Sequence, residues 1–153
     1  ILNRLNKVVK KVDLGIIRMS LNIVHFKNGT ATMANAAMPP IYHYSAEKKK
    51  VVEIEIVNLP LGGLLNEEYE LAEIKFDEGD LLIQLSDGLP EAPNPGGELI
   101  DYKRLFDCIE QNAMKSTKDV VESLVEMAEE WLDGNINPDD ITIVATKKNT
   151  LKE

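Results

Sequence analysis

The chain reads as an α+β domain in which hairpin-linked strands come first and helices follow. Three observations predict it. Short alternating or β-branched segments separated by turn residues fill the first half, two stripes of helical period occupy the second, and one apolar strand comes last. Alternating βαβ units would interleave the two patterns, and this chain keeps them apart.

Ile1, Leu2, Leu5, Val8, Val9 and Val12 recur at helical spacing, and Gly15 ends that stripe. Ile16 to Phe26 is apolar and partly alternating, and Asn28-Gly29 behind it is the strongest short hairpin signal. Thr30 to Asn35 is the returning strand. Pro39-Pro40 interrupts, Ile41 to Tyr44 resumes, and Glu47 to Lys50 forms a charged turn into Val51 to Val57. Asn58 to Gly63 is loop chemistry, Tyr69 to Phe76 alternates again, and Asp77-Glu78-Gly79-Asp80 turns into the apolar run Leu81 to Leu85. Leu89 to Gly97, with three prolines and two glycines, is an irregular loop. Tyr102 to Gln111 reads as a helix. A stronger one runs from Lys118 to Leu132, opened by the capping-box-like Ser116-Thr117-Lys118-Asp119 and stopped at Gly134. Its stripe is Val120, Val121, Leu124, Val125, Ala128, Trp131 and Leu132. Ile141 to Ala145 is the last strand, and residues 146–153 form a polar tail. The expectation is one domain over 1–153, with six or seven strands and no internal repeat.

At 153 residues the chain is long enough for a sizeable core, and 44% hydrophobic with 28% charged residues is ordinary for a globular protein. The net charge of −9 argues against a nucleic-acid surface, which needs clustered Lys and Arg; Lys48-Lys49-Lys50 and Lys147-Lys148 are short runs of solvated type. Cys108 is the single cysteine, so an internal disulfide is excluded and a cytoplasmic setting is expected. No stretch approaches the ~20 apolar residues of a membrane span. A first residue of Ile, opening directly in a helical pattern, is expected of a piece of a longer chain.

Two acidic turns carry the chemistry. Asp87-Gly88 follows the strand Leu81 to Leu85, and Pro138-Asp139-Asp140 precedes Ile141-Thr142-Ile143-Val144. If those strand edges adjoin, Asp87 and Asp139 converge. Two carboxylates repel when pushed together, whereas a hard divalent cation relieves the repulsion and takes oxygen ligands. The pattern is half of an acidic Mg²⁺ or Mn²⁺ site. Each turn alone also fits a structural role, since Asp bonds its own backbone in turns. Other reactive types are sparse. His25 and His43 lie in strand patterns with no matching carboxylate, and Cys108 sits among helix core residues. Leu61-Gly62-Gly63-Leu64 lacks the lysine of a phosphate loop, and Ser86 lacks a nucleophile elbow. Metal-assisted hydrolysis is the reading that survives.

The ordered set Gly79 to Ala92, Gly97-Glu98-Leu99-Ile100 before Tyr102-Lys103-Arg104-Leu105, and Asp139-Asp140-Ile141-Thr142-Ile143-Val144 resembles the metal-dependent serine/threonine protein phosphatases. The branch is the bacterial one of the stage II sporulation phosphatase and the sigma-factor regulators. Asn35-Ala36-Ala37-Met38-Pro39-Pro40-Ile41-Tyr42 and Leu59-Pro60-Leu61-Gly62 match its strand-turn pieces.

The resemblance implies an antiparallel β-sandwich flanked by helices. It implies two Mn²⁺ or Mg²⁺ ions that activate water against a phosphoserine or phosphothreonine, with Asp87 and Asp139 as metal ligands. Asp140 falls where eukaryotic relatives often carry Asn. The implied substrate is a phosphorylated regulatory protein of the anti-anti-sigma type.

There are departures from the family. Its Gly-Asp and Asp-Gly-His-Gly-like motifs, which supply further ligands, have no counterpart before Asp13, so the N-terminal part of the domain is expected to be missing. A sheet lacking its partner invites homodimerisation. The turn written Asn-Ala-Gly-His-Pro in the family reads Asn35-Ala36-Ala37-Met38-Pro39. Two other readings stand beside the enzyme: a degenerate, non-catalytic module that binds a partner, and a generic α+β domain with unrelated acidic turns.

Overall fold

The computed structural model describes residues 1–12 and 15–149. In chain order the elements are α1 (Leu2–Val12), β1 (Leu21–Lys27), β2 (Thr30–Ala36), β3 (Ile41–Ser45), β4 (Lys50–Ile54), β5 (Leu71–Lys75), β6 (Leu81–Leu85), α2 (Asp101–Asn112), α3 (Thr117–Leu132) and β7 (Ile143–Lys147). The expected order of strands, helices and a last strand is the one found. Contacts divide the chain into two compact units, Ile1–Met38 with Glu55–Phe76, and Pro39–Ile54 with the residues from Asp77 onward.

The first unit holds an antiparallel sheet in the order β1-β2-β5. Lys27 pairs with Thr30 across Asn28-Gly29, and φ of 51° and 76° at these two residues makes the tight turn whose twist matches the strands. Leu2, Leu5 and Val9 of α1 pack against Leu21, Ile23, Ala34, Ala36 and Leu61. Buried Asn6 stitches the helix to the following loop: its Nδ2 donates to the Leu64 carbonyl at 2.7 Å, and its Oδ1 accepts from the Gly62 amide at 2.7 Å.

The strand expected from Ile16 begins only at Leu21. Arg18 folds its guanidinium back onto the carbonyls of Gly15 and Ile17 at 2.6 and 2.8 Å, and Ile16 and Ile17 stand exposed. Side-chain capture of local carbonyls has displaced sheet pairing there.

The second unit holds an antiparallel sheet in the order β4-β3-β6-β7. β6 is central, and its Leu81, Ile83 and Leu85 pack with Tyr42 and Tyr44 of β3, Leu105 and Ile109 of α2, and Val120, Leu124 and Ala128 of α3. Leu82 is buried as well, so this strand reads as an apolar run rather than an alternation. The α3 stripe is narrower than its sequence: Val120, Leu124 and Ala128 are buried, whereas Val125 is exposed. Ser116 caps the helix, its Oγ accepting from the Asp119 amide at 3.2 Å.

The last strand also differs from expectation, running Ile143–Lys147 rather than 141–145. Residues 146 and 147 thus belong to the sheet and not to a polar tail; residues 150–153 lie outside the described residues. Lys147 is drawn in because its ammonium donates to the carbonyls of Ala113, Met114 and Lys115 at 3.2, 3.2 and 2.7 Å, satisfying the end of α2. Among the described residues no helix is long and apolar enough to cross a membrane.

His43 does have a carboxylate partner, against the reading of its sequence. Its Nε2 lies 3.1 Å from Oδ2 of buried Asp80, which also accepts from the amides of Ala46 (2.8 Å) and Asp77 (2.9 Å). Burial raises the Asp80 pKa, but the two amides and His43 together outweigh it and hold the carboxyl below its ordinary 3.8. A depressed folded value means that the group stabilises above the unfolded pKa and ceases to do so as pH falls through the folded one. Asp80→Ala is therefore expected to cost about 3 kcal/mol, since it leaves buried donors unpaired. The deficit should be complete above about pH 5 and shrink on acidification below about pH 4 in urea titrations. A deficit independent of pH would refute the carboxylate account.

Candidate metal centre

The β6–β7 pairing brings the two acidic turns together. The ladder runs from Leu81↔Lys147 to Leu85↔Ile143, and beyond it the Ser86 amide donates to the Thr142 carbonyl at 3.0 Å. Ser86 Oγ extends the pairing, accepting from the Thr142 amide at 2.9 Å and donating to the Asp140 carbonyl at 3.1 Å. Asp87 thus leaves β6 beside the residues that lead into β7.

Gly88 makes the approach possible. A Cβ built there would lie 2.3 Å from the Asp140 carbonyl oxygen, 2.9 Å from its carbon and 3.4 Å from the carbonyl carbon of Asp139. The two turns touch backbone to backbone, and any side chain at position 88 would separate them.

Asn137 ties the same two turns. Its Nδ2 donates to the Gly88 carbonyl at 2.9 Å and to the Asp139 carbonyl at 2.7 Å. Asp139 Oδ1 accepts from the Asp140 amide at 2.8 Å, which holds that side chain against its own turn. Both Asp87 and Asp139 are exposed.

The turn after Asp87 is fixed to α2. The Glu91 amide donates to the Asp87 carbonyl at 3.1 Å, and the Asp101 amide donates to the Pro90 carbonyl at 3.0 Å. Asp101, at φ 65°, accepts at Oδ1 from the amides of Lys103 (2.9 Å) and Arg104 (3.1 Å) and so starts the helix. The Tyr102 hydroxyl is consequently held in an acidic field. Burial first, and then the charges of Glu91, Asp87 and Glu53, push its pKa up.

These donors fit a hard divalent cation in kind. They are exposed carboxylate oxygens in a region of negative potential. They fall short in number: among the described residues no group of three or more His, Cys, Asp or Glu is placed to hold a metal ion. The sequence reading singled out Asp87 and Asp139, whose turns the structure brings together, and did not single out Asn137, Glu91 and Tyr102, which the structure relates to those turns. Asn137 precedes Pro138 in a stretch that reads only as loop, and the proximity of Tyr102 arises from how α2 is started.

The sequence profile of the family described as Stage II sporulation protein E (SpoIIE) matches residues 1–149. This chain belongs to that family. Phosphoserine phosphatase RsbU of Bacillus subtilis (strain 168) is 24% identical over 150 residues, covering 97% of this chain and 44% of that protein. The SiaA-PP2C domain of Pseudomonas aeruginosa superposes with a TM-score of 0.83 at 18% identity, covering 97% of this chain and 59% of that one. The manganese-presoaked phosphatase domain of the cell fate determinant SpoIIE from Bacillus subtilis superposes at 0.66 with 15% identity, covering 89% and 58%. These likenesses show the phosphatase-domain fold. The chain spans less than half the length of the curated relatives it matches.

Proposed function

We propose that the chain is part of a metal-dependent protein phosphatase domain that hydrolyses phosphoserine or phosphothreonine on a regulatory protein in bacterial signalling. The observation that carries this reading is the contact between the Asp87-Gly88 turn and the Asp139-Asp140 turn, with Gly88 admitting the close approach. Asp87 and Asp139 are the residues that would hold the cation, Mn²⁺ or Mg²⁺, and two ions are proposed for the complete site. When bound, such a cation lowers the pKa of water and offsets charge on phosphoryl oxygens. The chain's own residues do the positioning. Ser86 and Asn137 fix the spacing of the turns, and the α2 start fixes the Asp87–Glu91 turn. A phosphorylated partner of the anti-anti-sigma type and a cytoplasmic location accompany this proposal by resemblance. So does the boundary of a partial domain over 1–153, with homodimerisation over an uncovered sheet edge.

The shortage of metal-holding groups among the described residues favours a second reading, a partner-binding module without catalysis. The deciding assay is Mn²⁺-dependent hydrolysis of p-nitrophenyl phosphate and of a phosphoserine peptide, by this chain and by a longer product of the same reading frame. Activity in the longer product alone supports a phosphatase whose remaining ligands lie upstream. Silence in both selects the binding module.

A further inference from the structure

We propose that the furrow between α2 and α3 is a docking surface for a basic amphipathic helix of a partner protein. The inference stands apart from the metal centre and uses none of its residues.

α2 and α3 pack against the same core, and the furrow between them opens to solvent with a volume of about 600 Å³. Cys108 and Met127 form its floor and Trp131 its wall, while Arg104, Asp107 and Glu130 edge it. The floor and wall residues pack on the buried core with one side and reach the furrow with the other. Trp131 is held in place there. Its Nε1 donates to the Glu98 carbonyl at 3.0 Å, and the Arg104 guanidinium carbon lies 4.1 Å from its ring centre. A fixed aromatic wall beside an adaptable methionine suits helix-in-groove recognition, since the wall loses little side-chain freedom on binding.

Charge decides what the occupant is. α3 carries Asp119, Glu122, Glu126, Glu129 and Glu130 against one base, Lys118, and that base is paired with Glu122 at 3.2 Å. On α2, Lys103 is paired with Asp107, and Arg104 lies over Trp131. Glu126 and Glu130, by contrast, have no ion-pair partner among the described residues. Glu122, Glu126 and Glu130 follow one another at i, i+4, so a row of like charges runs along α3 beside the furrow and destabilises the helix that bears it. A partner helix with apolar residues on Met127 and Trp131, and lysines or arginines opposite that row, covers the floor and relieves the repulsion together. A second copy of the chain would set the same acidic row against itself.

Trp131 is the single tryptophan of the chain, so its emission reports the furrow directly. The probe is a synthetic peptide of Leu, Lys and Ala, about 18 residues long so that it forms a helix, with one leucine stripe flanked by lysines. A scrambled peptide of the same composition is the control. The expected result is a saturable change in Trp131 emission at micromolar striped peptide, with binding at least about tenfold tighter than for the scrambled one. Glu126→Lys combined with Glu130→Lys should weaken it at least about tenfold, and added salt should weaken it further. Both side chains are exposed, so this double variant should melt as the parent does.

Equal affinity for the two peptides would mean attraction to an acidic surface alone, and unchanged affinity in the double variant would place the peptide elsewhere. Either result overturns the inference, as does the absence of saturable binding. So does self-association of the peptide-free chain that Met127→Glu abolishes, because a second copy then covers the furrow. Should the double variant not fold, Glu126→Gln with Glu130→Gln takes its place, and affinity within about twofold of the parent there likewise overturns the inference.

Discussion

Asp87→Ala is expected to lower Mn²⁺-dependent phosphatase turnover at least about a hundredfold, or about 2.7 kcal/mol of barrier, in the longest active product of this reading frame. Its melting point without metal should stay within about two degrees of the parent. The two halves of that expectation have different physical sources. The Asp87 side chain is exposed, and the turn is held by backbone bonds that alanine retains, from Glu91 to the Asp87 carbonyl and from Ser86 to Thr142. Its carboxylate stands in solvent, so without a cation its removal costs the fold little. With Mn²⁺ the variant should fall behind, because a ligand that binds only the folded state stabilises it by RT ln(1 + [L]/Kd), and the variant forfeits that gain. Melting curves with and without Mn²⁺ therefore read the role directly. If the variant melts far below the parent in metal-free buffer, Asp87 is a structural turn residue, and loss of activity would say nothing about catalysis.

Much of this arrangement was legible in the residues, for reasons that are local. Asn28-Gly29 can hardly avoid a tight hairpin, and Ser116 before a helical stripe caps it whatever the surroundings. Asp87-Gly88 and Asp139-Asp140 were visible as acidic strand edges. Their adjacency was not, because strand pairing is a property of the sheet and nothing in either segment names its partner. β7 shifted two residues toward the C-terminus through Lys147, whose bonds reach the end of α2, and no window around the strand contains that cause. The His43–Asp80 pair was hidden likewise, since β3 and the turn before β6 meet only in the folded sheet. Ile16 and Ile17 erred the other way. Their apolar character favours a strand, but Arg18, the next residue, takes the carbonyls of Gly15 and Ile17.

Gly88→Ala should be the most damaging single substitution at the centre, since it acts on the contact itself. The added methyl would sit 2.3 Å from the Asp140 carbonyl oxygen and 2.9 Å from its carbon. Both atoms are backbone, so no side-chain rotation relieves the clash, and one turn must move away from the other. Moving them apart strains the pairing of Ser86 with Thr142 and the grip of Asn137 on Gly88 and Asp139. Overpacking against backbone typically costs 1–3 kcal/mol, and the loss of the hydrogen bonds adds to it, so about 3 kcal/mol is expected. For a chain of this length that is roughly 6–12 °C in melting point. The consequence for function should exceed that for stability, because a cation shared by two carboxylates tolerates little change in their separation. At temperatures where the variant remains folded, Mn²⁺ affinity and turnover should fall together, by at least about a hundredfold. A variant that melts within two degrees of the parent and keeps its Mn²⁺ affinity would mean that the turns stand further apart than the contact requires. Asp87 and Asp139 would then have no geometric basis for acting on one ion.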